Sequence, residues 1–213
     1  MSTGPRSVKI GENERSGWSS ERPRRPGEAE RPPRQADVSV RGRVLSPSDS
    51  LRYSPGSLLL VACADAAMRD SFCSRVIADA HALLSLGKVR ALLAGRVAAE
   101  QIEEKAQALL DAAAKKRLAE GQTVVIAVEG LGPEERERYV RMAHAANRPR
   151  HLILLEAGKD KVADDDRAAL GELRTKLDAG ALGQEGFVTS LRLGGATVSE
   201  LKRIVFAPPP RDD

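Results

Sequence analysis

The chain has 213 residues, of which 41% are hydrophobic and only 3% are aromatic, so it can build one medium-sized domain around an aliphatic core. The scarcity of aromatic residues argues against a base-stacking surface for single-stranded nucleic acid. No apolar run approaches the roughly 18 residues that span a bilayer. The two cysteines, Cys63 and Cys73, form no disulfide framework. We therefore expect a cytoplasmic protein that does not enter a membrane.

The N-terminal region differs from the rest of the chain in charge and in proline content. Up to Arg43 it carries ten basic and six acidic residues, and this excess of four equals the formal net charge of +4 of the whole chain. The remainder is therefore neutral, which argues against a broad nucleic-acid groove on the folded part. We predict that residues 1–36 form a disordered, basic tail rich in Pro and Arg. It is either a solvated leader or an arm that binds nucleic acid or an acidic partner.

Residues 37–56 are expected to form an extended lead-in, with a short strand at 38–44. An apolar run from Leu58 to Val61 then predicts a buried strand, and a turn of small residues separates it from a helix predicted over 66–82. This order of strand, turn and helix is the context of a phosphate-binding loop. It also fits an ordinary helix whose first turn is capped by Asp65.

The rest of the chain alternates between strand and helix patterns. Gly121 is expected to end a long amphipathic helix, and Pro133 to begin the next one. We predict strands at 83–85, 123–128, 152–155, 187–193 and 204–206, the last as an edge strand. We predict helices at 97–118, 133–146, 165–177 and 198–203, and a short basic helix or turn at 87–95. Strands separated by helices of this length predict an α/β fold with a parallel sheet.

From Ser57 onwards the chain resembles the P-loop kinase module of the bacterial polynucleotide-kinase type, a group that includes the zeta-toxin-like kinases. The best-matching stretch, residues 119–136, is similar to the family's run G-x-x-V-V-V-D-A-T-N-L-x-P-E-x-R. Residues 184–187 and 198–208 resemble the closing strand and the exit segment. The resemblance implies a three-layer, P-loop NTPase-like α/β domain over 57–207, a parallel sheet flanked by helices, with residues 208–213 as a C-terminal tail.

The resemblance also implies that the phosphate-binding loop is vestigial. Such a loop uses glycines to close backbone amides around phosphate, a Lys to reach the terminal phosphates, and a Ser or Thr to hold Mg²⁺. Cys63 and Met68 stand at the glycine positions and Arg69 stands at the lysine position. The metal-binding hydroxyl aligns with Asp70 or Ser71, depending on the gap. We therefore expect no metal site, and weak binding of Mg–ATP stays an open alternative.

On the acceptor side, the resemblance leaves two remnants. The family's acceptor-activating Asp aligns with Gly87, which cannot act as a base, whereas Arg90 matches an Arg that contacts the acceptor phosphate. Glu129 follows a predicted central strand at the carboxyl edge of the sheet, where α/β proteins bind ligands. It is either a relic of an active site or a polar loop residue. The family's lid arginines fall in a segment where three aspartates, 164–166, interrupt the basic residues Lys159, Lys161, Arg167 and Arg174.

The other polar residues offer no further site. The three histidines, His81, His144 and His151, lack metal-ligand spacing and are expected at the surface or as caps. The charged run over 134–138 is interpreted as a solvated helix face. The two cysteines are interpreted as reduced thiols, with a redox pair as the alternative.

We therefore identify no catalytic residue and predict a catalytically inactive kinase-like domain that serves as a binding or regulatory module for a protein partner. Two alternatives stay open. One is a divergent ATP-dependent nucleotide or polynucleotide kinase that holds nucleotide through Arg69, Ser71 and Arg90. The other is a nucleic-acid-associated protein that binds through residues 1–36.

Overall fold

The computed structural model describes residues 50–208. The predicted tail, the predicted strand at 38–44 and residues 209–213 lie outside these described residues. The strands are β1 Ser50–Tyr53, β2 Leu58–Cys63, β3 Leu83–Ser85, β4 Val124–Ala127, β5 Arg150–Leu155, β6 Thr189–Leu193 and β7 Arg203–Phe206. The helices are α1 Ala66–Val76, α2 Leu86–Leu93, α3 Ala99–Ala119, α4 Pro133–Ala145, α5 Asp164–Asp178 and α6 Ala196–Glu200, with 3₁₀ turns at Lys159–Lys161 and Ala181–Gly183.

Five strands form a parallel sheet in the order β3-β4-β2-β5-β6, which confirms the predicted α/β class. The apolar strand β2 lies at its centre, with Leu58 opposite Val124 on β4 and opposite Arg150 on β5. Every residue of β2 is buried, because helices pack on both faces of the sheet. A continuous aliphatic run is the sequence that such a doubly covered parallel strand requires.

The alternation of side chains along β2 builds two cores, one on each face of the sheet. Leu58 and Leu60 pack with buried residues of α3, α4 and α5, such as Leu110. Leu59 and Val61 pack on the opposite face with residues of α1, β7 and α6. The sheet is thus the middle layer of three. Fully burying each of these aliphatic side chains contributes about 1.5–3 kcal/mol.

A second sheet of two parallel strands, β1 and β7, belongs to the layer that contains α1. Residues 50–53 of the predicted lead-in form β1, and the predicted edge strand pairs with β1 instead of extending the main sheet. Ile77 forms a bridge to Ile204 of β7. This extended residue ends α1 at Val76, so the predicted helix over 66–82 is too long at its C-terminus. Because β7 begins at Arg203, the last helix ends at Glu200 and not at 203.

Two glycines fix the approach of neighbouring turns at the amino edge of the sheet. Gly121 has φ +76° and follows the end of α3, as its position in the sequence predicts. Gly56 has φ +73°, and a Cβ at this position would lie 2.6 Å from the carbonyl oxygen of Gly121. Only glycine satisfies both the backbone angle and the contact.

His151 corrects the expectation that all three histidines lie at the surface or cap helices. It is 5% exposed on β5, and its ring lies 4.5 Å from that of Tyr53 on β1. Its Nδ1 lies 2.7 Å from the Thr189 hydroxyl, and its Nε2 lies 3.3 Å from the Ser57 hydroxyl. Burial, together with the nearby charge of Arg150, lowers the pKa of His151 to about 4. The site therefore holds His151 as a neutral imidazole between two hydroxyls.

His151 should make stability depend on pH. The unfolded chain protonates this histidine near pH 6.5, whereas the folded chain resists protonation until about pH 4, so stability is lost as pH falls through this window at about 1.4 kcal/mol per pH unit. Between pH 6.5 and pH 5, the variant His151→Gln should lose about 1.5 kcal/mol less than the wild type, because the unfolded histidine is only half protonated at pH 6.5. Urea denaturation at each pH measures this difference. His81→Gln, at an exposed position, is the control, and equal slopes for all three proteins would contradict the assignment.

Candidate functional site

The loops that follow β2, β4 and β5 meet at the carboxyl edge of the sheet. Residues at the ends of these strands are paired in register, with Val61 opposite Ala127 and Cys63 opposite Leu155. Open parallel sheets bind their ligands at this edge. Each of the sequence-predicted site residues lies near it, so the geometry of these loops decides what the site can hold.

The turn after β2 contains only Ala64 and Asp65, because β2 ends at Cys63 and α1 begins at Ala66. Asp65 has extended backbone angles, and its Oδ1 accepts a hydrogen bond of 3.1 Å from the backbone amide of Met68. The protein's own carboxylate therefore occupies the N-terminus of α1, where a bound phosphate would otherwise lie.

The residues present in this turn do not fit a triphosphate. The resemblance extends the loop from Cys63 to Met68, with the four intervening residues that the motif places between its two glycines. In the structure α1 already begins at Ala66, so only two of these residues lie between the strand and the helix. Among the described non-glycine residues, only Asn147 has a positive φ. The turn therefore has neither the length nor the left-handed conformations that let backbone amides converge on an anion.

Arg69, which the resemblance aligns with the phosphate-loop lysine, is 4% exposed and turned into the protein. Its Nη1 donates a 2.8 Å hydrogen bond to the carbonyl of Val128, and its Nε donates one of 2.9 Å to Asp70. The guanidinium thus joins α1 to the end of β4 instead of facing a ligand. Asp70 and Ser71 are exposed on α1, whereas Met68 is half-buried.

The two predicted acceptor-side remnants contact each other. Arg90 on α2 donates from Nη1 and Nη2 to the Glu129 carboxylate at 2.7 and 2.9 Å. It also donates from Nε and Nη2 to Glu103 on α3, both at 2.7 Å. Hydrogen bonds with Glu103 and Glu129 raise the pKa of Arg90. One cation is therefore shared by two carboxylates, and the cluster has a net negative charge that opposes binding of a phosphate.

Glu135 and Arg136 organise the loop after β4, and both correct the interpretation of 134–138 as a solvated face. The Glu135 carboxylate accepts hydrogen bonds from the backbone amides of Glu129 and Gly130, at 3.4 and 2.7 Å. Burial raises the pKa of Glu135, although these amides act to lower it. A second carboxylate of the protein thus occupies backbone amides at this edge.

The Arg136 side chain is 2% exposed and joins two segments. Its Nη1 donates to the carbonyls of Leu131 and Gly132 at 2.6 and 2.9 Å. Its Nε and Nη2 contact Glu185 at 3.2 and 3.3 Å. The charge pattern alone does not reveal that Arg136 is buried. It lies in a run of charged residues on α4 in which Glu134 and Glu137 are exposed.

The segment for which the resemblance implies a lid also pairs its arginines within the protein. Glu156, just after β5, binds Arg174 on α5 and Arg192 on β6. Burial acts to raise the pKa of the Glu156 carboxyl, but the hydrogen bonds and charges of both arginines outweigh it and lower the pKa. Arg167 lies 2.8 Å from Asp164 at the exposed start of α5.

A cavity of about 290 Å³ lies beside this edge, between α1 and α2. Cys73, Lys88 and Asp70 contribute to its lining, and Gly87 lies there too. Both Cys63 and Cys73 are free thiols and buried. Burial raises the pKa of the Cys73 thiol to about 12, so it stays protonated at neutral pH.

Within residues 50–208, no cluster of His, Cys, Asp and Glu has the arrangement of a metal site.

Comparisons of the chain with protein-family models and with curated proteins found no match. The kinase resemblance therefore depends on the residues quoted above. Among the described residues, no helix has both the length and the apolar character that crossing a bilayer demands.

Proposed function

We propose that this chain carries a P-loop kinase-like domain that does not transfer phosphate and acts as a cytoplasmic binding or regulatory module for a protein partner. One observation supports it above all: groups that would hold phosphate already have partners within the protein. Asp65 and Glu135 occupy backbone amides at the carboxyl edge. Arg69 and Arg90 are bound to a carbonyl and to carboxylates. Releasing Arg69 from the buried carbonyl of Val128 would cost a hydrogen bond to a charged group, worth about 1.5–3 kcal/mol. The exposed contacts of Arg90 contribute less.

The test is a thermal titration of the full chain with Mg²⁺–ATP. We expect no change in Tm up to about millimolar nucleotide, because a ligand stabilises only the state that it binds. The variant Asp65→Asn should show no change in Tm either. Asparagine removes the charge that repels phosphate, but its side-chain oxygen still caps the helix and occupies the backbone amide. A parallel assay asks whether labelled phosphate moves from ATP to a nucleoside or a 5′-hydroxyl oligonucleotide. A Tm increase at sub-millimolar ATP, or transfer of label, would support the divergent kinase instead.

The basic excess before Arg43 supports a second candidate function, the binding of nucleic acid through residues 1–36. Such binding would depend strongly on salt, because it would release counterions from the phosphate backbone. A gel shift that weakens with salt and disappears when residues 1–36 are removed would favour it. A shift unchanged by the deletion would reject it.

A further inference from the structure

A groove lies on the outer surface between the C-terminal halves of α3 and α4, away from the carboxyl-edge loops. Its volume is about 480 Å³, which is within the usual range for binding pockets of roughly 300–1,000 Å³. Three long basic side chains and four small or flexible apolar ones share its lining: Lys115, Arg138, Arg141, Ala119, Met142, Ala145 and Ala146.

The groove exists because small residues stand where the two helices separate. On α3, the buried stripe that includes Leu110, Ala114 and Leu118 faces the sheet, so Lys115 and Ala119 lie on its flank. On α4, Ala143 is fully buried whereas Ala145 is exposed. Alanine methyls cannot fill the space between two helices, so the floor is apolar and recessed.

The rim of the groove is positively charged and weakly neutralised. Arg138 and Arg141 each reach a carboxylate only at 4.0 Å, on Asp111 and Glu137 respectively. Lys115 makes no ion pair with any residue of the described part of the chain. An exposed pair at such a distance contributes little, so these cations are available to a partner.

We propose that this groove binds an acidic amphipathic helix of a partner protein, with apolar side chains on the floor and carboxylates against Lys115, Arg138 and Arg141. The proposal rests on the binding role proposed above and names the class of partner. Apolar side chains of a helix fill such a floor in the way that helix-in-groove complexes do. A nucleic-acid backbone would contact the rim but leave the floor uncovered. The chain's own N-terminal region is basic, so it does not complement the rim.

A display experiment tests this proposal on the full chain. A library of peptides of about 16 residues, which form about 24 Å of helix, is selected on the wild-type protein. The selected peptides are then measured by fluorescence anisotropy. We expect them to combine leucine-like anchors at helical spacing with an excess of Asp and Glu, and their affinity should fall as salt rises.

Two variants locate the binding, each with a matched control on the same protein. Lys115→Glu reverses a rim charge, and Lys105→Glu makes the same change at an exposed position earlier on α3. Ala145→Trp fills the floor, and Ala108→Trp adds the same bulk at another exposed site. We expect each groove variant to weaken binding about tenfold or more and each control to change it less than about threefold. Circular dichroism and Tm confirm that all four variants fold.

The outcomes separate this proposal from the function on which it rests. Peptides without an acidic excess, failure to select any peptide, or equal losses in groove and control variants would overturn the groove assignment. The groove assignment would also be overturned if Lys115→Glu lowered the affinity for a labelled oligonucleotide but not the affinity for the peptides. Phosphate transfer from ATP by a protein that still binds the peptides would overturn the proposed function and leave the groove assignment standing.

Discussion

Replacing Arg136 with methionine is expected to destabilise the fold by about 3–5 kcal/mol, because the loss of one partner of a buried ion pair leaves the other without compensation. The side chain is 2% exposed. Its loss leaves the carbonyls of Leu131 and Gly132 without their donor and removes one of the cations that pair with Glu185. Methionine keeps most of the aliphatic volume, so the loss reports the hydrogen bonds and the charge more than an empty cavity.

Urea denaturation at neutral pH measures this effect, read from the midpoint at an unchanged m-value. Arg138→Met is the matched control, because Arg138 lies on the same helix, is 38% exposed and reaches Asp111 only at 4.0 Å. It should cost less than about 0.5 kcal/mol. The double variant Arg136→Met/Glu185→Met should recover part of the loss, since it removes the carboxylate that Arg136 pairs with. Similar losses for Arg136→Met and Arg138→Met would show that the buried contacts carry no net stability.

Arg69→Met is expected to cost about 2–4 kcal/mol, because the carbonyl of Val128 would lose its donor inside the protein. Asp70→Asn tests whether the ion pair contributes instead. The Asp70 side chain is 57% exposed, so neutralising it should cost less than about 1 kcal/mol. Both are measured by urea denaturation on the full chain.

Arg69→Lys connects this stability effect to the question of nucleotide binding. It places on α1 the lysine that phosphate-binding loops carry, but an ammonium cannot reproduce two directed hydrogen bonds of a guanidinium. We expect partial loss of stability and no Tm increase with Mg²⁺–ATP. An ATP-dependent stabilisation of this variant would mean that the two-residue turn can hold phosphates and that the lysine was the missing part.

Local sequence patterns predicted most of the fold. The apolar run at β2, the helix end before Gly121 and the helix start at Pro133 each depend on a few adjacent residues, and each is confirmed. The helix ends at Val76 and Glu200 were predicted wrongly, because they depend on pairing of Ile77 and Arg203 with strands elsewhere in the chain. The pair of β1 and β7 joins residues about 150 positions apart, and neither strand shows its partner in its own pattern.

For the candidate site too, the sequence predicted where residues lie but not which contacts they make. The sequence placed Glu129 at the carboxyl edge of the sheet, because residues that follow parallel strands meet there. The family resemblance, and not the strand pattern, assigned Arg69 and Arg90 to the same site. It did not reveal that Arg90 and Glu129, 39 positions apart, bind each other, or that Arg69 donates to a carbonyl 59 positions away. The identity of a charged residue does not indicate whether its side chain faces solvent, a ligand or a buried carbonyl.

What the sequence by itself determined is therefore the order of strands and helices, the aliphatic core and the absence of loop glycines next to β2. The tertiary structure alone decided which charges are satisfied: a buried Arg136, a neutral His151 and a carboxylate at each of two amide-rich turns. The physical reason is that backbone propensity and hydrophobic periodicity act over one or two turns of chain. Burial and hydrogen bonding of a charged group depend on distant segments, which come together only in the folded protein.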